Sequence, residues 1–279
     1  MLSKLKQAVN IKYFMVAYLG FLLITASLAL QRPMFLLKGA VIVALYSLFD
    51  LLWTRLRDRV WYLPVSSWIS GLVLSIVAMP APPVFLMIVL PFLAVASKQL
   101  LHFGKNRHIF NPATFAVTAV TLFAPAAAWW AVTWSTTPLL IVAVVGLFIL
   151  WRQTRWHVTF TFLGVYALLS AVVFLGGGAK IELLPGALRA LLLQGNLLFF
   201  STVMLIEPIT SSFPTRNKRM VYGAMVGAFA VLATTVSQYV TLPFVDPILV
   251  GLLSGNLIAS LLFLKAPPKP MPAPLQMNS

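Results

Sequence analysis

Ten apolar stretches of fifteen to twenty-one residues follow one another along this chain. They run approximately from Tyr13 to Gln31, Met34 to Trp53, Val65 to Met79, Val84 to Leu100, Pro112 to Trp130, Thr137 to Trp151, Val158 to Leu175, Leu188 to Ile206, Met220 to Val240 and Pro247 to Leu264. Crossing the hydrocarbon core of a bilayer takes roughly 17 to 25 apolar helical residues. With 61% of its residues hydrophobic and 9% charged, the chain cannot cover this surface with polar groups in water; a soluble domain carries roughly a quarter charged residues. The pattern predicts an all-α polytopic membrane protein with about ten transmembrane helices. The third stretch is short and the fifth contains Pro125, so a broken or tilted segment is expected there, and nine or eleven spans remain compatible with the pattern.

The formal charge of +15 fits either a nucleic-acid surface or the basic loops of a membrane protein. Position decides between them. Lys4, Lys6 and Lys12 precede the first stretch, and Arg55, Arg57 and Arg59 follow the second. Lys98, Lys105 and Arg107 follow the fourth, Arg152 and Arg155 the sixth, Arg216, Lys218 and Arg219 the eighth, and Lys265 and Lys269 the tenth. Sixteen of the twenty basic residues thus fall in alternate connections, leaving Arg32, Lys38, Lys180 and Arg189 for the other side. Lysine and arginine collect on the cytoplasmic side of membranes, so both termini are expected there and the number of spans is even. A nucleic-acid surface has no reason to alternate with apolar runs and is set aside. The chain has no cysteine, which excludes disulfides, thiolate-held iron–sulfur clusters and cysteine nucleophiles within it.

Nothing in the composition divides the chain, so residues 1–265 are read as one transmembrane domain, with halves 1–133 and 134–265. The proline-rich segment 266–279 is expected to be a disordered cytoplasmic tail. The basic start followed by an apolar run resembles a signal peptide, but about 19 residues exceed the usual 7–15 of such a region, so an uncleaved first helix is expected. Two sets of five spans place the second set upside down relative to the first, as in many transporter folds. Phe110-Asn111-Pro112 and Val245-Asp246-Pro247 support this division, since each puts a capping residue before a proline at the first helical position.

Few polar residues are candidates for function. Asp58 and Glu182 are expected in solvated loops, and Asp50 is expected to reach Arg55 or the interface by snorkelling. Helix starts at Asn111-Pro112, Glu207-Pro208 and Asp246-Pro247 aim free N–H groups at whatever lies before them, which suits a polar ligand or an ion; plain capping is the competing reading. Glu207-Pro-Ile-Thr-Ser-Ser212 adds Thr210 and two serines to a carboxylate beside a helix break. His102, His108 and His157 are expected as interfacial side chains without a metal, and Trp129, Trp130, Trp134, Trp151 and Trp156 as an aromatic belt. No phosphate loop, paired acid and base, or nucleophile motif is present.

Five segments occur together in an order that resembles the RnfD and NqrB family of membrane subunits from bacterial redox-driven ion pumps. They are Ser66–Leu74 with the turn at Pro80–Pro83, Lys98-Gln-Leu100 leading to Phe110-Asn-Pro-Ala113, Arg155-Trp-His157, Glu207–Ser212, and Arg219-Met-Val-Tyr-Gly-Ala224. The resemblance spans residues about 60 to 264. It implies a ten-helix inverted repeat in a bacterial inner membrane, with flavin (FMN or riboflavin) as cofactor, expected here to be non-covalently held because the family's attachment segment is shortened. The implied partners are further membrane and soluble redox subunits, and the implied work is electron transport coupled to sodium or proton movement. Family members carry covalent FMN on a threonine in a long external segment; here that segment is only about Ala124 to Thr136, and Thr137 is the candidate that remains. The family's Asp-Pro stands here as Glu207-Pro208, and a family glycine as Ala116. The leading expectation is a flavin-associated electron-transfer subunit. The alternatives are a transporter or channel for a small polar solute (a flavin among them) on the same fold, and a subunit that anchors redox partners.

Overall fold

The computed structural model describes residues 10–80, 82–103, 107–123, 128–133, 135–240 and 245–264. Lys4, Lys6, Lys105, Lys265, Lys269, Pro125, Trp134 and the proline-rich segment 266–279 lie outside these residues. Among the described residues the secondary structure is helical, apart from an isolated bridge between His102 and His108.

Helix α1 (Ile11–Ala29) starts behind Asn10, whose side chain accepts the Lys12 amide. Helix α2 (Pro33–Asp58) ends at Arg59, in the left-handed region at φ 58°. Next come α3 (Val65–Val77), α4 (Val84–Leu100, with Pro91 inside it) and α5 (Pro112–Thr121). The later helices are α6 (Thr136–Gln153), α7 (Trp156–Gly176), α8 (Leu184–Leu192) and α9 (Gly195–Phe199), which continues as a π turn over Phe200–Met204. Helices α10 (Arg216–Ser237) and α11 (Pro247–Phe263) complete the order.

Helices α1, α2, α6, α7 and α10 are long and apolar enough to cross a membrane. The pair Ile181–Leu192 and Gly195–Met204 forms a sixth candidate, bent by 57°. Helices α3, α4, α5 and α11 are apolar but shorter. Large apolar side chains such as Leu28, Leu140, Val144, Leu168 and Leu261 stand exposed on the outer surface, as lipid contact requires. The protein is a membrane-embedded helical bundle.

Two expected spans take another form. Among the described residues the fifth stretch is helical from Pro112 to Thr121, and residues 129–132 run alongside the end of α3. There the amides of Trp129 and Ala131 donate to the carbonyls of Val77 and Ile76, at 2.8 and 2.7 Å. These bonds satisfy carbonyls that the end of a helix leaves open. The eighth stretch breaks between α8 and α9, where Gly195 lies against the backbone of Val132. A Cβ at Gly195 would come within 2.3 Å of the Val132 oxygen, so this approach requires glycine.

Helices α3 and α9 are the innermost elements. Leu74, Ile76 and Val77 on one, and Phe199 and Phe200 with the following Leu205 and Ile206 on the other, are fully buried. Such helices are apolar all round because protein surrounds them. Around them α1 packs on α3, α2 on α4, and α4 on α5; later in the chain α6 packs on α9, α7 on α10, and α10 on α11. Helices α5 and α11 touch each other across the two sets.

Ring contacts show which helix ends share a side. Phe14 near the start of α1 meets Phe148 near the end of α6 at 4.9 Å, and Phe263 at the end of α11 meets Phe213 at 5.5 Å. The start of α1 and the end of α11 therefore lie at the end of the bundle that gathers the arginines described next.

Candidate functional site

Asp50 lies on the inner face of α2 with no solvent exposure. A carboxylate there needs a partner, since burying an unpaired charge is very costly. Its Oδ2 accepts from Lys98 Nζ at 2.7 Å, Tyr62 OH at 2.6 Å and Ser67 Oγ at 2.6 Å, while Oδ1 accepts from Gln99 Nε2 at 2.7 Å. The snorkelling expected for Asp50 is thus replaced by an inward ion pair, because α3 and α4 bring donors to it. In the loop before α3, burial and then the bond to Asp50 push the Tyr62 hydroxyl up to about 12. Arg57 links this cluster to the water-facing side, donating to Gln99 Oε1 at 2.8 Å and pairing with Asp58.

A second cluster forms on the segment that follows the π turn. His108 Nε2 lies 3.0 Å from Glu207 Oε1, and the Thr210 hydroxyl lies 3.3 Å from Oε2. His108 is 6% exposed, so it is no interfacial side chain; the bridge to His102 turns it inward onto Glu207. Three guanidiniums then grip the backbone from Thr210 to Phe213. Arg107 donates to the carbonyls of Thr210 and Ser212 and lies over the Phe213 ring. Arg155 donates to Ser211 O at 3.0 Å and Ser212 Oγ at 2.6 Å, and Arg219 to Phe213 O at 2.9 Å. Burial lowers the pKa of Arg107; burial, then the positive charges of Arg219 and Arg107, lower that of Arg155. A cavity of about 180 Å³ separates the two clusters and is lined by Arg57, Lys98, Gln99, His102, Arg107 and His108.

The opposite end of the bundle holds Asp246, the cap of α11. It accepts from the amides of Ile248 and Leu249 at 2.9 and 3.4 Å and from Trp130 Nε1 at 2.7 Å. Burial raises its pKa against the opposing effect of these three donors. Trp130 is therefore a buried ligand of Asp246, not part of a lipid-facing belt. Nearby, Thr133, Ser135, Thr136, Gln194 and Asn196 line a neutral polar cavity of about 380 Å³. Thr137 is exposed beside it in the first turn of α6, its amide bonded to Ser135 Oγ at 3.1 Å.

The expected site residues thus divide between two ends. Glu207, Pro208 and Thr210 share the arginine-rich end with Asn111 and Pro112, while Asp246 and Thr137 lie at the other. Asn111 Oδ1 accepts the Thr114 amide and hydroxyl at 3.1 and 3.2 Å, so it acts as the cap of α5, as Asp246 does for α11. Tested for a flavin, Asn111, Pro112, Glu207, Pro208 and Thr210 do not fit. At the arginine-rich end the Asn111 cap oxygen is occupied, Glu207 is held by His108 and Thr210, and the neighbouring cavity of about 180 Å³ is below the roughly 300 Å³ of a typical ligand pocket. Sequence reasoning missed Asp50, Lys98, Tyr62, His108 and the role of the three arginines. One signal existed, since an acid inside an apolar helix is by default a functional candidate. Compared with family models and with curated proteins, the sequence matches none.

Proposed function

We propose that the chain is a membrane subunit of an electron-transport complex of the RnfD and NqrB type, built as a five-plus-five inverted repeat of ten spans in a bacterial inner membrane. The observation that carries this reading is convergence. Lys98-Gln99, the segment leading into Asn111, Arg155, Glu207–Ser212 and Arg219 are scattered over more than a hundred residues, yet their side chains meet at one end of the bundle. These are segments that carry the resemblance, and a shared site gives a reason for their occurring together.

The repeat has its own support. The packing α1–α3, α2–α4 and α4–α5 recurs as α6–α9, α7–α10 and α10–α11. Left-handed residues fall at matching joints: Gln31 at φ 53° and Thr154 at φ 56° each stand two residues before the next helix, and Arg59 and Gly178 follow α2 and α7. In this reading the arginine-rich end is cytoplasmic and docks the soluble redox subunits. A flavin of the complex is then held away from Asn111, Glu207 and Asp246, and no step is assigned to these residues through it.

The test is isolation of the complex through this chain, with a visible spectrum before and after reduction and release of flavin by denaturation. Reversibly bleaching flavin with copurifying redox subunits is expected. A colourless chain that purifies alone in every preparation sinks the reading. Covalent flavin that survives a denaturing gel and disappears in Thr137→Ala would place the cofactor on that threonine.

Transport of a small polar solute is the second reading, favoured by unpaired polar atoms inside the bundle. Asn256 is fully buried and bonds Tyr222 OH through Oδ1 at 2.7 Å, while its Nδ2 has no partner among the described residues; Thr118 Oγ1 is likewise unpaired there. Uptake into vesicles containing the chain alone would establish it.

A further inference from the structure

Between the starts of α7 and α10, at the arginine-rich end, lies a cavity of about 640 Å³. Arg216, Arg219 and His157 line it together with Trp156, Phe160 and Thr154, and no carboxylate does. The charges there are unbalanced. Arg219 lines the cavity while its Nε donates to the Phe213 carbonyl, and neither Arg216 nor Arg219 has an ion-pair partner among the described residues. His157 Nε2 is buried without a hydrogen-bond partner.

The helix ends make the imbalance worse. Helix N-termini carry partial positive charge and favour acidic residues in the first turn. Helix α10 instead opens with Arg216, Lys218 and Arg219 and has no acid there, and α7 begins directly after Arg155, again with no acid. Two positive helix ends and two guanidiniums thus face one space. An anion in that space removes all of these repulsions together. Its neighbours further specify it: Trp156 and Phe160 stack nearly parallel at 6.0 Å, and Phe160 stands 58% exposed on the lipid side. Below the cavity the helices close tightly, Gly223 against Val158 and Gly227 against Phe162, so an apolar tail has to run outside along the helix surface.

We propose that this cavity binds the phosphate group of an anionic phospholipid, with Arg216, Arg219 and His157 on the phosphate and Trp156 and Phe160 beside the upper acyl chain. Basic pockets between membrane helices suit such headgroups. The inference is independent of the electron-transfer reading, since it concerns lipid alone.

The full chain in a neutral detergent is titrated with short-chain phosphatidylglycerol, short-chain phosphatidylcholine and inorganic phosphate, and thermal stability is followed. Phosphatidylglycerol is expected to stabilise the protein saturably, and phosphatidylcholine to have little effect. Arg216→Gln, at a side chain with no ion pair among the described residues, should weaken the response about tenfold, the usual scale of one charged hydrogen bond. His157→Gln tests the same site from α7, and Arg189→Gln on α8 should leave the response unchanged. Equal stabilisation by both lipids, or undiminished binding in both Arg216→Gln and His157→Gln, overturns the proposal. Saturation by inorganic phosphate that abolishes the phosphatidylglycerol response overturns the lipid as the source of the phosphate.

Discussion

Lys98 reaches across from α4 to place its ammonium 2.7 Å from the carboxylate of Asp50 on α2, which has no contact with solvent. Tyr62, Ser67 and Gln99 complete the shell, so the pair fixes how α2, α3 and α4 meet at the arginine-rich end. Removing one partner of a buried pair leaves an uncompensated charge, at a cost of about 3–5 kcal/mol. Lys98→Met should therefore lower stability in detergent by that amount. The double variant Asp50→Asn with Lys98→Met should recover most of the loss, because an amide still accepts from Tyr62 and Ser67. Equal loss in the single and double variants would show that the pair does not set the packing.

Glu207 binds His108 and Thr210, while Glu182 stands exposed on a short turn. If the convergent segments form the working site, Glu207→Ala should lower electron transfer in the intact complex about tenfold or more, the scale of a lost charged hydrogen bond. Glu182→Ala should leave it within error. Equal effects remove Glu207 from the site.

Gly195→Ala should destabilise the protein by about 1–3 kcal/mol through overlap with the Val132 backbone. Gly164→Ala on α7 meets open space and should be neutral or stabilising by up to about 1 kcal/mol. Thermal melts of the two variants measure the contrast, and similar melts would argue against the close approach of α9 to residues 129–132.

Asp246 carries the pH prediction. Its folded pKa is raised above the ordinary aspartate value by burial, so its stabilising contribution is full below that ordinary value and is lost as pH rises through the folded one. Asp246→Asn keeps a good helix cap and cannot ionise. The stability of the wild type relative to Asp246→Asn should therefore fall as pH rises above about 4, the ordinary aspartate value. A difference that stays flat or rises contradicts the assignment.

Local signals are legible in the sequence, and contacts between distant segments are not. Asn111 and Asp246 cap α5 and α11 as their Asn-Pro and Asp-Pro pairs indicate, because a cap depends on its own next three residues. The expected spans Thr137–Trp151 and Val158–Leu175 fall within α6 and α7, and Met220–Val240 is helical in α10 as far as Ser237, where nothing competes with an apolar helix. Hydropathy failed where tertiary contacts take over. Residues 129–132 are apolar enough for a helix, yet bond to the end of α3, and the eighth stretch breaks so that Gly195 can approach Val132. Asp50 and Lys98 are 48 residues apart, and His108 and Glu207 are 99 apart, so no local pattern links either pair.

The proposed inverted repeat requires the two halves of the chain to lie upside down relative to each other, and the absence of native cysteine makes that directly measurable. Gln31 and Thr154 are exposed residues in the joints between α1 and α2 and between α6 and α7, which the proposed repeat makes counterparts. Gln31→Cys and Thr154→Cys are placed singly in the chain and treated with a membrane-impermeant maleimide, in intact cells and in inside-out vesicles. Labelling of Cys at 31 only from outside, and of Cys at 154 only from the cytoplasmic side, is the predicted result. Labelling of both from the same side contradicts the inverted repeat.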